Sequence, residues 1–175
     1  FTSVDLLDRF RGGLPLPEGY GQRVDERVVE CPWVIARLRP GTGRILDAGS
    51  VLNTPLLLDL PQLKDRILVV YSLDILWMKQ DPRISYIQGD FRDPILREGT
   101  FDSIVCISTL EHVGQWPIPV GQTYEEYLPK PKPARDMTAY RGVLAIFRGL
   151  LSVGGQLLLT VPYGRREDHQ WMQQF

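Results

Sequence analysis

The chain has 175 residues, with 20 Lys and Arg against 21 Asp and Glu, and a formal net charge of −1. With 43% hydrophobic and 23% charged residues it has the composition of one ordinary globular domain. The charge balance gives no electrostatic case for nucleic acid or an anionic membrane as a partner, and no apolar run reaches spanning length; the longest, Ile67 to Trp77, is broken by Asp74.

Two cysteines, Cys31 and Cys106, lack the close spacing of a disulfide framework or a zinc site. Cys106 lies inside an apolar run and reads as a buried thiol. No signal peptide is visible, so a reducing, cytoplasmic setting is expected. The chain opens on Phe1 rather than Met, which is read as a trimmed start.

Residues 1–23 read as an irregular lead-in: a short helical pattern (Val4, Leu6, Leu7, Phe10), then a Gly/Pro-rich stretch. Residues 24–175 read as the domain proper. Val24 to Leu38 has a helical apolar side, Val28, Val29, Val34, Ile35 and Leu38, with a break or fresh start expected at Pro32. Pro40 to Gly43 turns into a first strand, Arg44 to Ala48. A one- or two-turn helix follows at Leu56 to Leu60, stopped by Pro61.

The second strand, Arg66 to Leu73, is nearly all apolar, as a strand covered on both faces should be. It ends at Asp74. A short helix is expected at Leu76 to Gln80. A third strand, Ile84 to Gln88, ends at Gly89-Asp90. The fourth runs from Phe101 to Ser108. Met137 to Leu151 carries helical periodicity in Tyr140, Val143, Leu144, Ile146, Phe147, Leu150 and Leu151. Gly154-Gly155 should end it, and Gln156 to Val161 should form a fifth strand, stopped by Pro162. Between the fourth strand and that helix, residues 113–136 are rich in Pro, Tyr and Lys and read as a lid-like insertion or a disordered excursion.

Strands alternating with helices or crossover-length connections predict an α/β fold: a three-layer, Rossmann-like, mostly parallel, doubly wound sheet. Polar residues then fall at four successive strand ends: Asp47 with Gly49, Asp74, Asp90, and Ser108 to His112. In an open parallel sheet this is the edge that binds ligands. One acidic residue there is usually a cap or a loop residue; four in order point to a site.

From about Trp33 to Gly164 the chain resembles the class I S-adenosylmethionine-dependent methyltransferases. The resemblance rests on Ile45-Leu46-Asp47-Ala48-Gly49, on Val70 to Ile75, on Gln88-Gly89-Asp90-Phe91, on Phe101-Asp102 opening a buried strand that ends in Glu111-His112, and on Gly149 to Pro162. It implies S-adenosylmethionine as cofactor. Asp47 would belong to the cofactor loop, with backbone at Gly49 and Ser50 on the methionine half. Asp74 would take the ribose hydroxyls and Ile75 would pack on the adenine. Asp90, with backbone at Phe91, would accept the adenine amino group, and Ser108 would line the methyl-donor end. His112 and Glu111 would be catalytic, with His112 as general base; a structural, helix-capping role for the pair is the alternative.

The implied reaction is methyl transfer to oxygen or nitrogen of a small molecule or glycan precursor, with no nucleic acid or membrane partner and no metal. Two departures stand out. The usual Gly-x-Gly-x-Gly is interrupted by Val51 and Asn53, and little chain follows Val161 to build the family's antiparallel C-terminal edge strands, which are expected to be missing or truncated. A non-catalytic interaction module, with weak or no cofactor binding, is one alternative. An NAD-dependent oxidoreductase is another, opposed by the missing G-x-G-x-x-G. Trp116, Tyr124, Tyr127 and Tyr140 suit stacking on an acceptor or ordinary packing. Lys130, Lys132 and Arg135 suit an anionic group or plain solvation. His169 reads as approaching the pocket or as part of a solvated tail.

Overall fold

The computed structural model describes residues 3–73, 81–115, 134–165, 167, 169 and 172–175. Asp74, Ile75, the short helix at 76–80, Trp116, Tyr124, Tyr127, Lys130, Lys132 and most of the 113–136 insertion lie outside these residues.

Five strands form one parallel sheet: β1 (Arg44–Ala48), β2 (Ile67–Ser72), β3 (Ile84–Gln88), β4 (Phe101–Ile107) and β5 (Leu151–Thr160), in the order β3-β2-β1-β4-β5. Every pairing is parallel, and β1 is central, with Leu46 beside Val69 on one flank and Ile104 on the other. The chain leaves β1 toward one edge, then crosses to the other side at β4. Between β1 and β4 the order reverses, which is where parallel α/β sheets open a crevice at their carboxyl edge.

Strand alternation sorts the side chains onto two faces. Ile45, Val70, Val105 and Ile107 pack under α1 (Val4–Gly12) and α2 (Arg27–Arg37), with Leu57 and Leu58 of α3 (Pro55–Leu58). Leu46, Ala48, Ile104 and Cys106 pack under α4 (Ala139–Leu150) through Val143, Phe147 and Leu150. Helices therefore cover both faces, and the three-layer Rossmann-like architecture read from the sequence is the architecture present.

Three local differences have physical reasons. The lead-in is not all irregular: α1 is capped by Ser3, whose hydroxyl accepts from Leu6 N–H, and it buries Leu6, Leu7 and Phe10 in the same core as α2. α2 runs through Pro32 without breaking. A proline removes the hydrogen bond to the carbonyl four residues earlier; here that carbonyl, Val28, accepts the Tyr20 hydroxyl at 2.6 Å instead. Lastly, α4 stops at Leu150, and β5 starts at once with Leu151 opposite Phe101. Residues 152–155 bulge out before Gln156 rejoins opposite Ser103, so the Gly154-Gly155 pair lies inside the strand.

Candidate functional site at the carboxyl edge

At the end of β1 the Asp47 side chain folds back on its own loop. Its carboxylate accepts Val51 N–H at 3.1 Å and Leu52 N–H at 2.8 Å, with Asn53 N–H also contributing. Asp47 is 1% exposed. Burial pushes its pKa up to about 7, outweighing the amides that favour the anion. The carboxylate thus shapes the loop from within.

Gly49 is the point of closest approach between strand ends. Its N–H donates to Tyr71 O at 3.0 Å, its φ is +114°, and a Cβ there would lie 1.9 Å from Thr109 Oγ1 on the loop after β4. Ser50 follows with φ +69°, a left-handed conformation rare outside glycine, and its Oγ is buried without a partner. Val51, which interrupts the glycine pattern, packs against the α1/α2 core. Neither Val51 nor Asn53 takes a positive φ; the left-handed step falls on Gly49 and Ser50.

Next to this loop, Ser108 follows β4 directly, with φ +41°. Its N–H is shared between Thr160 O at 3.2 Å and Thr160 Oγ1 at 3.1 Å. The Ser108 hydroxyl donates to Glu30 Oε1 at 2.8 Å, and the Thr160 hydroxyl donates to the same oxygen at 2.6 Å. The other oxygen of Glu30 pairs with Arg27. One carboxylate from α2 therefore ties together the ends of β4 and β5.

Glu111 lies on the 3-10 turn Leu110–His112. It is 1% exposed, and its Oε2 has no hydrogen-bond partner. Burial pushes its pKa up to about 7, its own backbone N–H pulling back against that; the negative charge of Glu30 raises it further, and Ser108 and Arg27 lower it. The Glu111 carbonyl accepts Gln173 N–H at 3.1 Å, which brings the C-terminal segment against this turn. His112 is exposed, and its N–H donates to Thr109 O at 3.1 Å. His169 sits on the C-terminal segment, with Nε2 3.5 Å from Glu167.

At β3 the arrangement differs. Asp90 is held by Arg92, whose N–H, Nε and Nη2 all reach its carboxylate at 2.5–3.0 Å, keeping its pKa below the usual range. The Phe91 ring is core, 4.9 Å from Tyr71 and 5.3 Å from Phe147 between ring centres. The structure thus gathers Gly49, Ser50, Ser108 and Glu111 around the β1/β4 reversal, with Asp47 beneath, and leaves Asp90 paired and Phe91 buried to one side.

Glu30, Arg27 and Thr160 were not singled out from the sequence. One signal was present: Glu30 stands on the side of α2 that buries Cys31 and Val34, where a lone carboxylate needs partners. Both thiols are poor nucleophiles. Burial pushes Cys31 up to about 11 and Cys106 higher still. Among the described residues no three His, Cys, Asp or Glu side chains gather to hold a metal ion. No helix among them is long and apolar enough to cross a membrane.

The opposite edge of the sheet has a hollow of about 430 Å³ lined by Arg39, Thr42, Arg66, Asp102, Ser152 and Gly154 among others. Its charged groups are mostly engaged. Arg66 donates to the carbonyls of Gln62 and Arg39, Arg39 donates to Gly154 O at 2.6 Å, and Asp102 accepts Arg44 N–H at 2.8 Å.

Comparison of the chain with protein-family models and with curated proteins found no match. The fold and site together define a Rossmann-like α/β protein with buried, unpartnered polar atoms, Ser50 Oγ and Glu111 Oε2, at the carboxyl edge.

Proposed function

We propose that the protein is an S-adenosylmethionine-dependent methyltransferase acting on oxygen or nitrogen of a small molecule or glycan precursor. The observation that carries this reading is the pair of buried, unpartnered polar atoms, Ser50 Oγ and Glu111 Oε2, on the two loops that meet at Gly49 and Thr109. Buried polar atoms are normally satisfied, and exceptions mark places where a ligand supplies the partner. Their position at the strand-order reversal is where this fold binds nucleotide-like ligands.

The residues present fit such a cofactor at its methionine end. Ser50 and the backbone around Gly49 would hold that half, and Ser108 and Glu111 would face the reacting end. Asp74 and Ile75 remain assigned to the adenosine by sequence resemblance alone. Asp90 would serve the adenine only by sharing its carboxylate with Arg92. When bound, the cofactor supplies an electrophilic methyl group. This chain's part is to orient the acceptor and hold a proton. Glu111 is the stronger candidate for that proton, since it is buried with an open lone pair, whereas His112 is exposed.

Calorimetry with S-adenosylhomocysteine is the test. Saturable binding is expected, with NAD silent, and Asp74→Ala should weaken it by more than about 1 kcal/mol through lost charge-assisted hydrogen bonds. Silence toward S-adenosylhomocysteine would overturn the reading and favour an interaction module. Binding of NAD alone would favour an oxidoreductase.

A further inference from the structure

We propose that Gln173 Nε2 and Glu111 Oε2 together grip one hydroxyl group of the methyl acceptor, so that methyl transfer goes to oxygen and Gln173 selects for it. The use of this pair in methyl transfer rests on the methyltransferase reading; the pair itself does not.

Gln173 reaches Glu111 through the fold, not through sequence. Its backbone N–H donates to Glu111 O at 3.1 Å. Residues joined in that way have Cα atoms roughly 5–6 Å apart, so their side chains leave from neighbouring points. The segment that carries Gln173 is pinned in place. Phe175 N–H donates to Pro162 O at 3.0 Å, Gly164 N–H donates to Phe175 O at 3.1 Å, and the Phe175 ring packs edge-on against Tyr140 of α4 with 5.0 Å between ring centres. Gln173 is 5% exposed and Glu111 1%. One side-chain atom of each has no partner: Nε2 of Gln173, a donor, and Oε2 of Glu111, an acceptor. They do not bond to each other. A buried donor and a buried acceptor on adjoining residues, both unmet, call for one group that offers both functions.

A hydroxyl is such a group. It has one hydrogen to donate to Glu111 and two lone pairs. One lone pair accepts from Gln173 and the other stays free to attack the methyl carbon. A neutral amine has a single lone pair, and spending it on Gln173 leaves nothing to attack with; an ammonium has none. A carboxylate has no hydrogen for Glu111. The pair therefore admits alcohols and sugar hydroxyls and works against amines. The step balances. The acceptor's O–H bond breaks, its electron pair stays on that oxygen, and an O–H bond forms on the Glu111 carboxylate. A lone pair of the acceptor oxygen forms the bond to the methyl carbon, as the carbon–sulfur bond of the donor breaks with its pair going to sulfur. Gln173 keeps its hydrogens throughout and sets where the oxygen sits.

The test follows the Gln173 side-chain amide by NMR in the intact chain, saturated with S-adenosylhomocysteine, while the methyl glycosides of glucose, galactose and mannose are titrated in. At least one glycoside should shift that amide signal saturably. Gln173→Met, close in shape but without the N–H, should weaken binding of that glycoside about tenfold or more and leave S-adenosylhomocysteine binding unchanged. The same variant should raise the thermal midpoint by about 2–4 °C, since it removes a buried amide donor that has no partner. A lower midpoint would show that the fold already uses the amide, and would overturn the proposal. With S-adenosylmethionine in place of S-adenosylhomocysteine, the glycoside should gain a methyl ether and glucosamine should gain no methyl on nitrogen; the reverse pattern overturns the selection. A wild-type amide that none of the three glycosides moves overturns the proposal even if the variant fails to fold. Absence of S-adenosylhomocysteine binding removes the methyltransferase reading, and the glycoside titration of the free chain still decides the pair.

Discussion

Asp47 and Asp102 do the same work at opposite ends of the central strands. Asp47 accepts the N–H groups of Val51 and Leu52 and Asp102 accepts that of Arg44, and at each end a glycine has no room for a side chain, Gly49 against Thr109 and Gly43 against Asp102. Yet Asp102 is exposed beside an open hollow whose charged groups have protein partners, whereas Asp47 is buried beneath loops that leave Ser50 Oγ and Glu111 Oε2 unsatisfied. The amino edge keeps one such atom, Gln62 Oε1, outside that hollow. Two residues at the carboxyl edge, Ser50 and Ser108, also hold left-handed backbone. Volume therefore points to one end of the sheet and unmet hydrogen bonding to the other. The second is the better guide, because a void surrounded by satisfied groups has nothing left to offer a ligand.

The sharpest way to break this contrast is a methyl group at each glycine. Gly49→Ala should cost about 3 kcal/mol or more, since the new Cβ meets both Oγ1 and Cβ of Thr109 and the backbone is left-handed. Gly43→Ala meets chiefly the movable end of Asp102 and should cost about 1 kcal/mol. Urea midpoints measure both, and equal losses would erase the distinction.

Removing the aspartates is the next step down. Asp47→Ala strands buried amides and should cost about 2–3 kcal/mol; Asp102→Ala frees one exposed amide and should cost about 1 kcal/mol or less. The pH dependence separates them further. Asp47 and Glu111 titrate near 7 when folded, above the ordinary carboxyl range of the unfolded chain. The folded state then binds more protons than the unfolded state between about pH 4 and 7, so their contribution is fully present at low pH and lost as pH rises through 7. Asp47→Asn should flatten that fall by at least about 1 kcal/mol. The smallest effect is at Ser50. Ser50→Gly should stabilise by about 1 kcal/mol by relieving positive φ, while weakening S-adenosylhomocysteine binding through the lost hydroxyl.

How much of this could be read from the chain depended on range. β1 and β3 begin and end where alternation and turn residues put them, because those signals are local. The path of α2 through Pro32 was hidden, since Val28 O is satisfied by a tyrosine outside the helix. The start of β5 was hidden because a bulge opposite β4 does not alter local apolar spacing. At the site, Gly49, Ser50, Ser108 and Glu111 were legible as strand-end residues. Glu30 and Thr160 were not, since they are 130 positions apart in sequence and meet only through tertiary packing. Asp90 looked the same as the others in sequence, and only its capture by Arg92 sets it apart.

α2 works as a lever. It rests on α1 along one side and carries Glu30 to the rim of β4 and β5 at its other contact. Clipping away the first dozen residues would therefore be felt far from the cut: with its backing gone, the helix would tilt, and the clasp on Ser108 and Thr160 would open.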